Sequence, residues 1–234
     1  MPKVTLPNKS VIEVEPGSPA AEIAKKISRS LGEEALAAKI NGKVSDLNTP
    51  INADCELQFL TFEDPEGIEI YWHSSSHLMA HAIQSLFPEA KFGVGPAIDD
   101  GFYYDIDINK TLSPADLEAI EQKMHEIAER NDPFQRKVVK KDDALKFFKE
   151  KKDPYKVEII SALDETITFY SEGDFTDLCR GPHVPSAGKL KYFKLLGTSG
   201  AYWRGDSKNK MLQRVYGVSF PKKKMLEDHL KMLE

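Results

Sequence analysis

The chain has 234 residues, 41% of them hydrophobic and 29% charged, with a formal net charge of −5. This length suffices for two compact domains, the composition excludes a chain dominated by disorder, and the negative balance excludes a protein that coats nucleic acid through many phosphate-neutralising cations. The average conceals an asymmetry. Eleven Lys and Arg against four Asp and Glu from Lys189 to Glu234 put +7 there and −12 on the preceding residues, so a basic C-terminal face can meet phosphate locally. The opening MPKVTLPNKSVIEVEPG lacks a secretory pattern, and no stretch approaches the ~18 apolar residues of a membrane span. Two distant cysteines, Cys55 and Cys179, make no disulfide framework. The expectation is a cytoplasmic α+β protein with no membrane partner.

In chain order, KVTLP and VIEVE flank a polar turn at Asn8 and read as a hairpin. A helix over Ala20–Leu31 follows, with Ser18 as cap, Pro19 at its first position and Gly32 as its stop. ALAAKING and CELQFLTF, separated by the turn-rich DLNTPINAD, supply two more strands, and the order suits a β-grasp sheet over residues 1–62. FEDPEG marks the boundary. The next helix is expected from about Trp72 to before Pro88, with Leu78, Ala82 and Leu86 four apart. GVGPAIDDGFYYDIDI reads as glycine-punctuated strands. Ser113, Pro114 and Asp116 open a helix toward Arg130 whose core stripe is Leu117, Ile120, Met124 and Ile127. A strand at Gln135–Val139, a helix from Asp142 to Lys151, and strands at KVEIIS and TITFYS complete a second α+β domain over 63–224. LKYFKLL, GAYWRGDS and MLQRVYGVSF read as its last strands, and residues 225–234 as the start of a linker helix.

His73, His77 and His81 recur every fourth residue, so on a helix they share one side. Two imidazoles so placed can converge on one ion or one water. In DLCRGPHVPSAG, Gly181, Pro182 and Pro185 oppose a helix, leaving Cys179 and His183 on an irregular loop that can aim side chains at a site. Together, H-x3-H and C-x3-H have the donor types of a tetrahedral metal shell. His81 reads as a packing residue, Cys55 as a small hydrophobe in a strand, and Arg204 as either a phosphate contact or a structural ion pair.

HSSSHLMAHA followed about a hundred residues later by DLCRGPHVPSAG resembles the editing domain shared by threonyl-tRNA synthetases and their alanyl relatives. GVGPAIDDGFYYD, PYKVEII, FTDLCRGPH and GAYWRGDSKNKMLQRVYG narrow the resemblance to the bacterial threonyl type, and the β-grasp start resembles the TGS domain that precedes it. The resemblance covers essentially the whole chain. It implies post-transfer editing: hydrolysis of the ester in mischarged Ser-tRNA(Thr), sparing Thr-tRNA(Thr). The family's aminoacylation domain, which holds ATP and a zinc ion, and its anticodon-binding domain would lie beyond Glu234, so a monomer that does not charge tRNA by itself is expected.

The resemblance also implies roles. His73 and Lys156 would be catalytic, the imidazole orienting or deprotonating a water and the ammonium stabilising negative charge. Asp177 would hold the serine ammonium, while His77, Tyr104, Cys179 and His183 shape the pocket and bind substrate. No cofactor is expected for editing. The rivals are a zinc hydrolase using His73, His77, Cys179 and His183, a covalent mechanism in which Cys179 attacks with His183 as base, and a noncatalytic tRNA-binding module.

Overall fold

The computed structural model describes residues 1–164 and 166–233; Glu234, the end of the expected linker helix, lies outside the described residues. Two compact units form, one from Met1–Tyr71 with Gly181–Pro185 and the other from Trp72–Arg180 with Ser186–Glu234.

The first unit contains β1 (Lys3–Thr5), β2 (Val11–Glu13), β3 (Ser18–Pro19), α1 (Ala20–Ile27), α2 (Arg29–Glu34), β4 (Ala37–Ile40), β5 (Lys43–Ser45), β6 (Pro50–Ile51) and β7 (Cys55–Leu60). Its main sheet runs β2-β1-β7-β4-β5. The first and last strands pair in parallel at its centre, Val4 opposite Cys55, as a β-grasp sheet requires. Val4, Val14, Ile23, Leu47 and Leu57 fill the core, and half-buried Cys55 packs against it. The single helix expected over Ala20–Leu31 is two. Ser28 adopts extended backbone, ends α1, and caps α2 by accepting from the Leu31 amide. Competition of this kind from a short hydroxyl side chain is why serine favours helix ends over interiors. The N-cap position falls on Pro19, not Ser18, and carries no side-chain cap bond, and Gly32 lies inside α2.

Helix α3 spans Pro65–Leu86, seven residues longer at its start than its apolar spacing predicts. The Asp64 carboxylate folds back to accept from the Thr61 amide and hydroxyl, 2.8 and 3.2 Å away, and Pro65 takes the first helical position. Gly67, read from sequence as a breaker, is what lets the helix begin here. A Cβ at that residue would sit 1.7 Å from the Thr61 carbonyl oxygen.

The second unit continues α3 from Trp72 and adds β8 (Lys91–Phe92), β9 (Ala97–Ile98), β10 (Gly101–Asp107), α4 (Pro114–Arg130), β11 (Gln135–Val139), α5 (Lys141–Glu150), α6 (Pro154–Ala162), β12 (Ile167–Glu172), β13 (Phe175–Leu178), β14 (Tyr192–Tyr202), β15 (Met211–Phe220) and α7 (Lys223–Leu233). One antiparallel sheet runs β14-β15-β10-β8 with β9 beside β10, and another runs β11-β12-β13. The expected capping box of α4 is formed by Ser113 and Asp116. Two readings are corrected. KVEIIS is helical, not a strand: Asp153 caps α6 by accepting from the Tyr155 and Lys156 amides, and Pro154 opens it. That cap outweighs the strand preference of Val157, Ile159 and Ile160. GAYWRGDS is no separate strand either, because β14 runs on to Tyr202 and the chain then turns through a short 3-10 helix at Trp203–Gly205. No helix among the described residues is long and apolar enough to cross a membrane.

Gly67→Ala is expected to lower unfolding free energy by about 3 kcal/mol through overpacking against Thr61, measured by urea denaturation. An unchanged midpoint would contradict this account of where α3 begins.

Candidate functional site

The site grows from two facing elements of the second unit. From Trp72 on, α3 is enclosed on nearly all sides: Ser74, Ser75 and Ser76 are fully buried and His77 is 3% exposed. Such burial of polar groups stands only where hydrogen bonds replace water. Ser75 Oγ lies 2.6 Å from Ser219 Oγ, Ser76 Oγ donates to the Gly95 carbonyl at 2.7 Å, and Trp72 Nε1 donates to the Ser219 carbonyl at 2.8 Å.

Opposite it, β12 and β13 form a hairpin in which Tyr170 faces Asp177 and Glu172 faces Phe175. Alternation puts Phe175 and Asp177 on one face, and both are buried there at 2% exposure. Beyond β13, the Cys179 amide donates to the Thr168 carbonyl at 3.1 Å, and the Thr168 hydroxyl donates to the Cys179 carbonyl. The segment expected as an irregular loop is therefore strand through Leu178, and its pairing holds the thiol. His73 Nε2 lies 3.4 Å from Cys179 Sγ, and His77 Nδ1 lies 4.0 Å from Asp177 Oδ2.

Lys156 and Tyr104 close the group. Lys156, 3% exposed, projects from the first turn of α6, and its Nζ lies 2.8 Å from Asp177 Oδ1 and donates to Tyr104 Oη at 3.0 Å. Tyr104, on β10, donates through a short hydrogen bond to Asp177 Oδ2. The Leu178 amide donates to Oδ1 at 2.8 Å. Three donors thus hold one buried carboxylate, which satisfies the condition under which a buried ion pair is tolerated.

This field acts on the neighbouring groups. Burial, the largest cause, lowers His73 to about 4; Asp177 opposes the shift and Lys156 adds to it. Burial, then His73 and Lys156, hold His77 well below its ordinary value. Both imidazoles are neutral at pH 7. Burial, reinforced by the Asp177 charge and hydrogen bond, raises Tyr104 well above its usual value and keeps it a donor.

The structure thus brings together His73, His77, Tyr104, Lys156, Asp177 and Cys179. His183 belongs to the first unit, where it is 1% exposed and its amide donates to Asp46 Oδ1 at 3.0 Å. Arg204 pairs with Glu158 at 2.7 Å. Sequence reasoning missed Asp153 and Phe92, which place Lys156: the Asp153 carboxylate caps α6 with one oxygen and accepts from the Phe92 amide with the other. The Asp-Pro pair at 153–154 was the available signal, being a helix start.

A cation fits the donor set. Ligand atoms of His73, His77 and Cys179 all lie within 4.8 Å of one another. A sulfur and a nitrogen on one tetrahedral zinc would be roughly 3.5 Å apart by standard bond lengths, close to the 3.4 Å separating His73 from Cys179. The charge of Lys156, which disfavours cationic imidazole at both histidines, also disfavours such an ion.

Two domain families match parts of the chain. Residues 2–61 match the TGS domain, and residues 167–216 match the threonyl and alanyl tRNA synthetase second additional domain. The chain carries these two domains and is similar along its whole length to threonine–tRNA ligases. It is 52% identical over 233 residues to the threonine–tRNA ligase of Caldanaerobacter subterraneus subsp. tengcongensis, 99% of this chain and 36% of that protein. It is 50% identical over 236 residues to that of Desulforamulus reducens, 100% of this chain and 37% of that protein. The ligase of Porphyromonas gingivalis is 52% identical, across 100% of this chain and 36% of its own length. The chain therefore spans little more than a third of the curated relatives it matches.

Lys156→Met removes one partner of a buried pair and is expected to lower unfolding free energy by about 3 kcal/mol, read from urea denaturation. Undiminished stability would show that the Lys156–Asp177 contact is not a structural pair.

Proposed function

We propose that this chain is the editing part of a threonine–tRNA ligase, with residues 1–62 as its TGS domain, 63–224 as the editing domain and 225–234 opening a linker helix. Its reaction is hydrolysis of the ester joining serine to the terminal adenosine of tRNA(Thr). The catalytic and anticodon-binding domains of the whole protein are its partners in the cytoplasm. The observation that carries the reading is the Asp177–Lys156–Tyr104 network set beside two imidazoles that burial keeps neutral.

The chemical need comes from size. A threonine-selecting site can demand a hydroxyl, but serine has one and lacks only a methyl, a difference worth about 1–3 kcal/mol or roughly 10- to 200-fold. A second, smaller pocket that admits serine and excludes threonine supplies the remaining discrimination.

An ionised carboxylate has about four acceptor positions. Lys156, Tyr104 and Leu178 use three on Asp177, so its Oδ2, on the His77 side, has capacity for the serine ammonium. Neutral His73 takes a proton from the attacking water, directly or through the adenosine 2′-hydroxyl. The water oxygen bonds to the ester carbon, the bond to the ribose oxygen breaks, and the proton goes to that oxygen. Lys156 stabilises the charge that develops on the carbonyl oxygen. His77, Tyr104 and Cys179 bound the pocket.

The sulfur–nitrogen spacing favours one second reading, a zinc ion on His73, His77 and Cys179 as a Lewis acid. The first reading predicts full deacylation of seryl-tRNA(Thr) after thorough chelation; activity abolished and restored by zinc would establish the second.

Turnover of seryl-tRNA(Thr) and threonyl-tRNA(Thr) by this chain is the direct assay. Seryl ester should be cleaved and threonyl ester spared, with His73→Ala and Lys156→Ala each lowering the rate about 10²-fold or more, the scale of general-base and oxyanion contributions. Cleavage of neither ester above background would refute the proposal. Because the neutral form of His73 acts and burial puts its proton affinity at about 4, kcat/KM should stay level from pH 7 to about 5 and fall as pH passes through 4. An inflection at the ordinary histidine value of 6.5 would contradict that role.

A further inference from the structure

His81 repeats the spacing of His73 and His77 but takes no part in the chemistry above, and its surroundings are not those of a packing residue. It is 2% exposed. Its Nδ1 lies 3.2 Å from Glu172 Oε2 and its Nε2 lies 2.7 Å from Asp174 Oδ1. Glu172 is 1% exposed, and its other oxygen has no hydrogen-bond partner among the described residues. A buried carboxylate so incompletely satisfied is costly, so the contact with His81 is what holds it in place.

The helix and the hairpin run past each other in matched steps. Four residues of α-helix advance about 6.0 Å, and two residues of strand about 6.6 Å. Histidines at every fourth helical residue therefore meet alternate residues of β13 and the residue that follows it. His73 meets Cys179, His77 meets Asp177, and His81 meets Phe175 with the adjoining Glu172 and Asp174. The His81 ring stacks on Phe175 at 5.6 Å and 12°, and Phe175 sets its edge against His77 at 6.3 Å. Phe175 and Asp177 are two apart on one strand and share one face. The turn between the strands fits closely here: Gly173 has φ +57, and a Cβ on it would be 2.9 Å from Asp132 Oδ2 and 3.4 Å from His81 Cε1.

The geometry points to His81 as a positioning residue for the editing pocket. By gripping Glu172 and Asp174 and bearing on Phe175, it fixes β13 along α3, so that the Asp177 carboxylate stands where Lys156 and a substrate ammonium both reach it. This rests on the assignment of Asp177 to the serine ammonium, but the clamp itself can be tested apart from that assignment.

The test uses His81→Phe, which keeps a ring on Phe175 and loses both polar contacts, and Glu172→Gln, a milder change that keeps shape and hydrogen bonding. Two readouts are taken on this chain. Crystal structures of the variants report the Lys156 Nζ–Asp177 Oδ1 distance, 2.8 Å in the parent. Calorimetry reports affinity for a non-hydrolysable seryl-adenosine amide and for the same compound without its α-amino group. The clamp predicts a Lys156–Asp177 contact lengthened beyond hydrogen-bond range in His81→Phe. It also predicts an affinity loss of about tenfold for the amino-bearing analogue alone, the scale of one charge-assisted hydrogen bond. Equal loss for both analogues, or an unmoved contact in both variants, would overturn it. Should the parent fail to distinguish the two analogues, the ammonium assignment falls while the crystallographic distance still decides the clamp.

Discussion

A lysine ammonium and an aspartate carboxylate meet at 2.8 Å where each is only about 3% exposed, and the second unit is arranged to make that meeting tolerable. Taking both charges from water costs several kcal/mol per ion unless further donors and acceptors are in place. Tyr104 and the Leu178 amide supply them on one side. On the other, the Asp153 cap fixes the helix turn from which Lys156 projects and ties that turn to β8 through the Phe92 amide. The aromatic rings of Phe92, Tyr104, Phe175 and His77 pack edge to face around the pair. The low local dielectric of that water-poor surround strengthens every charge interaction inside it.

The same enclosure decides what the histidines can do. An imidazole in water is half charged near pH 6.5, whereas burial beside an ammonium leaves His73 and His77 neutral well below that. Neutral imidazole accepts protons and binds metals alike, so the donor spelling alone does not choose between esterase and zinc site. The ammonium tips the balance toward the proposed esterase, since it would stabilise a developing oxyanion and opposes a second cation.

Much of this was legible in the amino-acid sequence, and what was not has a physical reason. His73 and His77 declare themselves by helical spacing, and the β-grasp order of the first unit follows from local turn and strand signals. Lys156 was placed among site residues by resemblance yet assigned to a strand, because Val157, Ile159 and Ile160 suggest one; the competing signal, Asp153 before Pro154, is a cap whose strength local composition hides. Pro65 and Gly67 read as a domain boundary; in the structure they open α3, where Gly67 leaves room for the Thr61 carbonyl. Asp177 and Leu178, at the head of DLCRGPHVPSAG, read as irregular loop because Gly181, Pro182 and Pro185 dominate that segment, yet they end strand β13. His81 could not be distinguished from core, because Glu172 and Asp174 lie more than ninety residues away and only tertiary packing joins them.

The central claim is that Asp177, held by Lys156 and Tyr104, receives an amino acid's ammonium while His73 faces its ester. A crystal structure of this chain with a non-hydrolysable seryl-adenosine analogue tests it most directly. The account predicts the ammonium within hydrogen-bond distance of Asp177 Oδ2 and the scissile carbonyl carbon within one water of His73 Nε2. An analogue seated with its ammonium on another group, or a zinc ion coordinated by His73, His77 and Cys179 in its place, would contradict it.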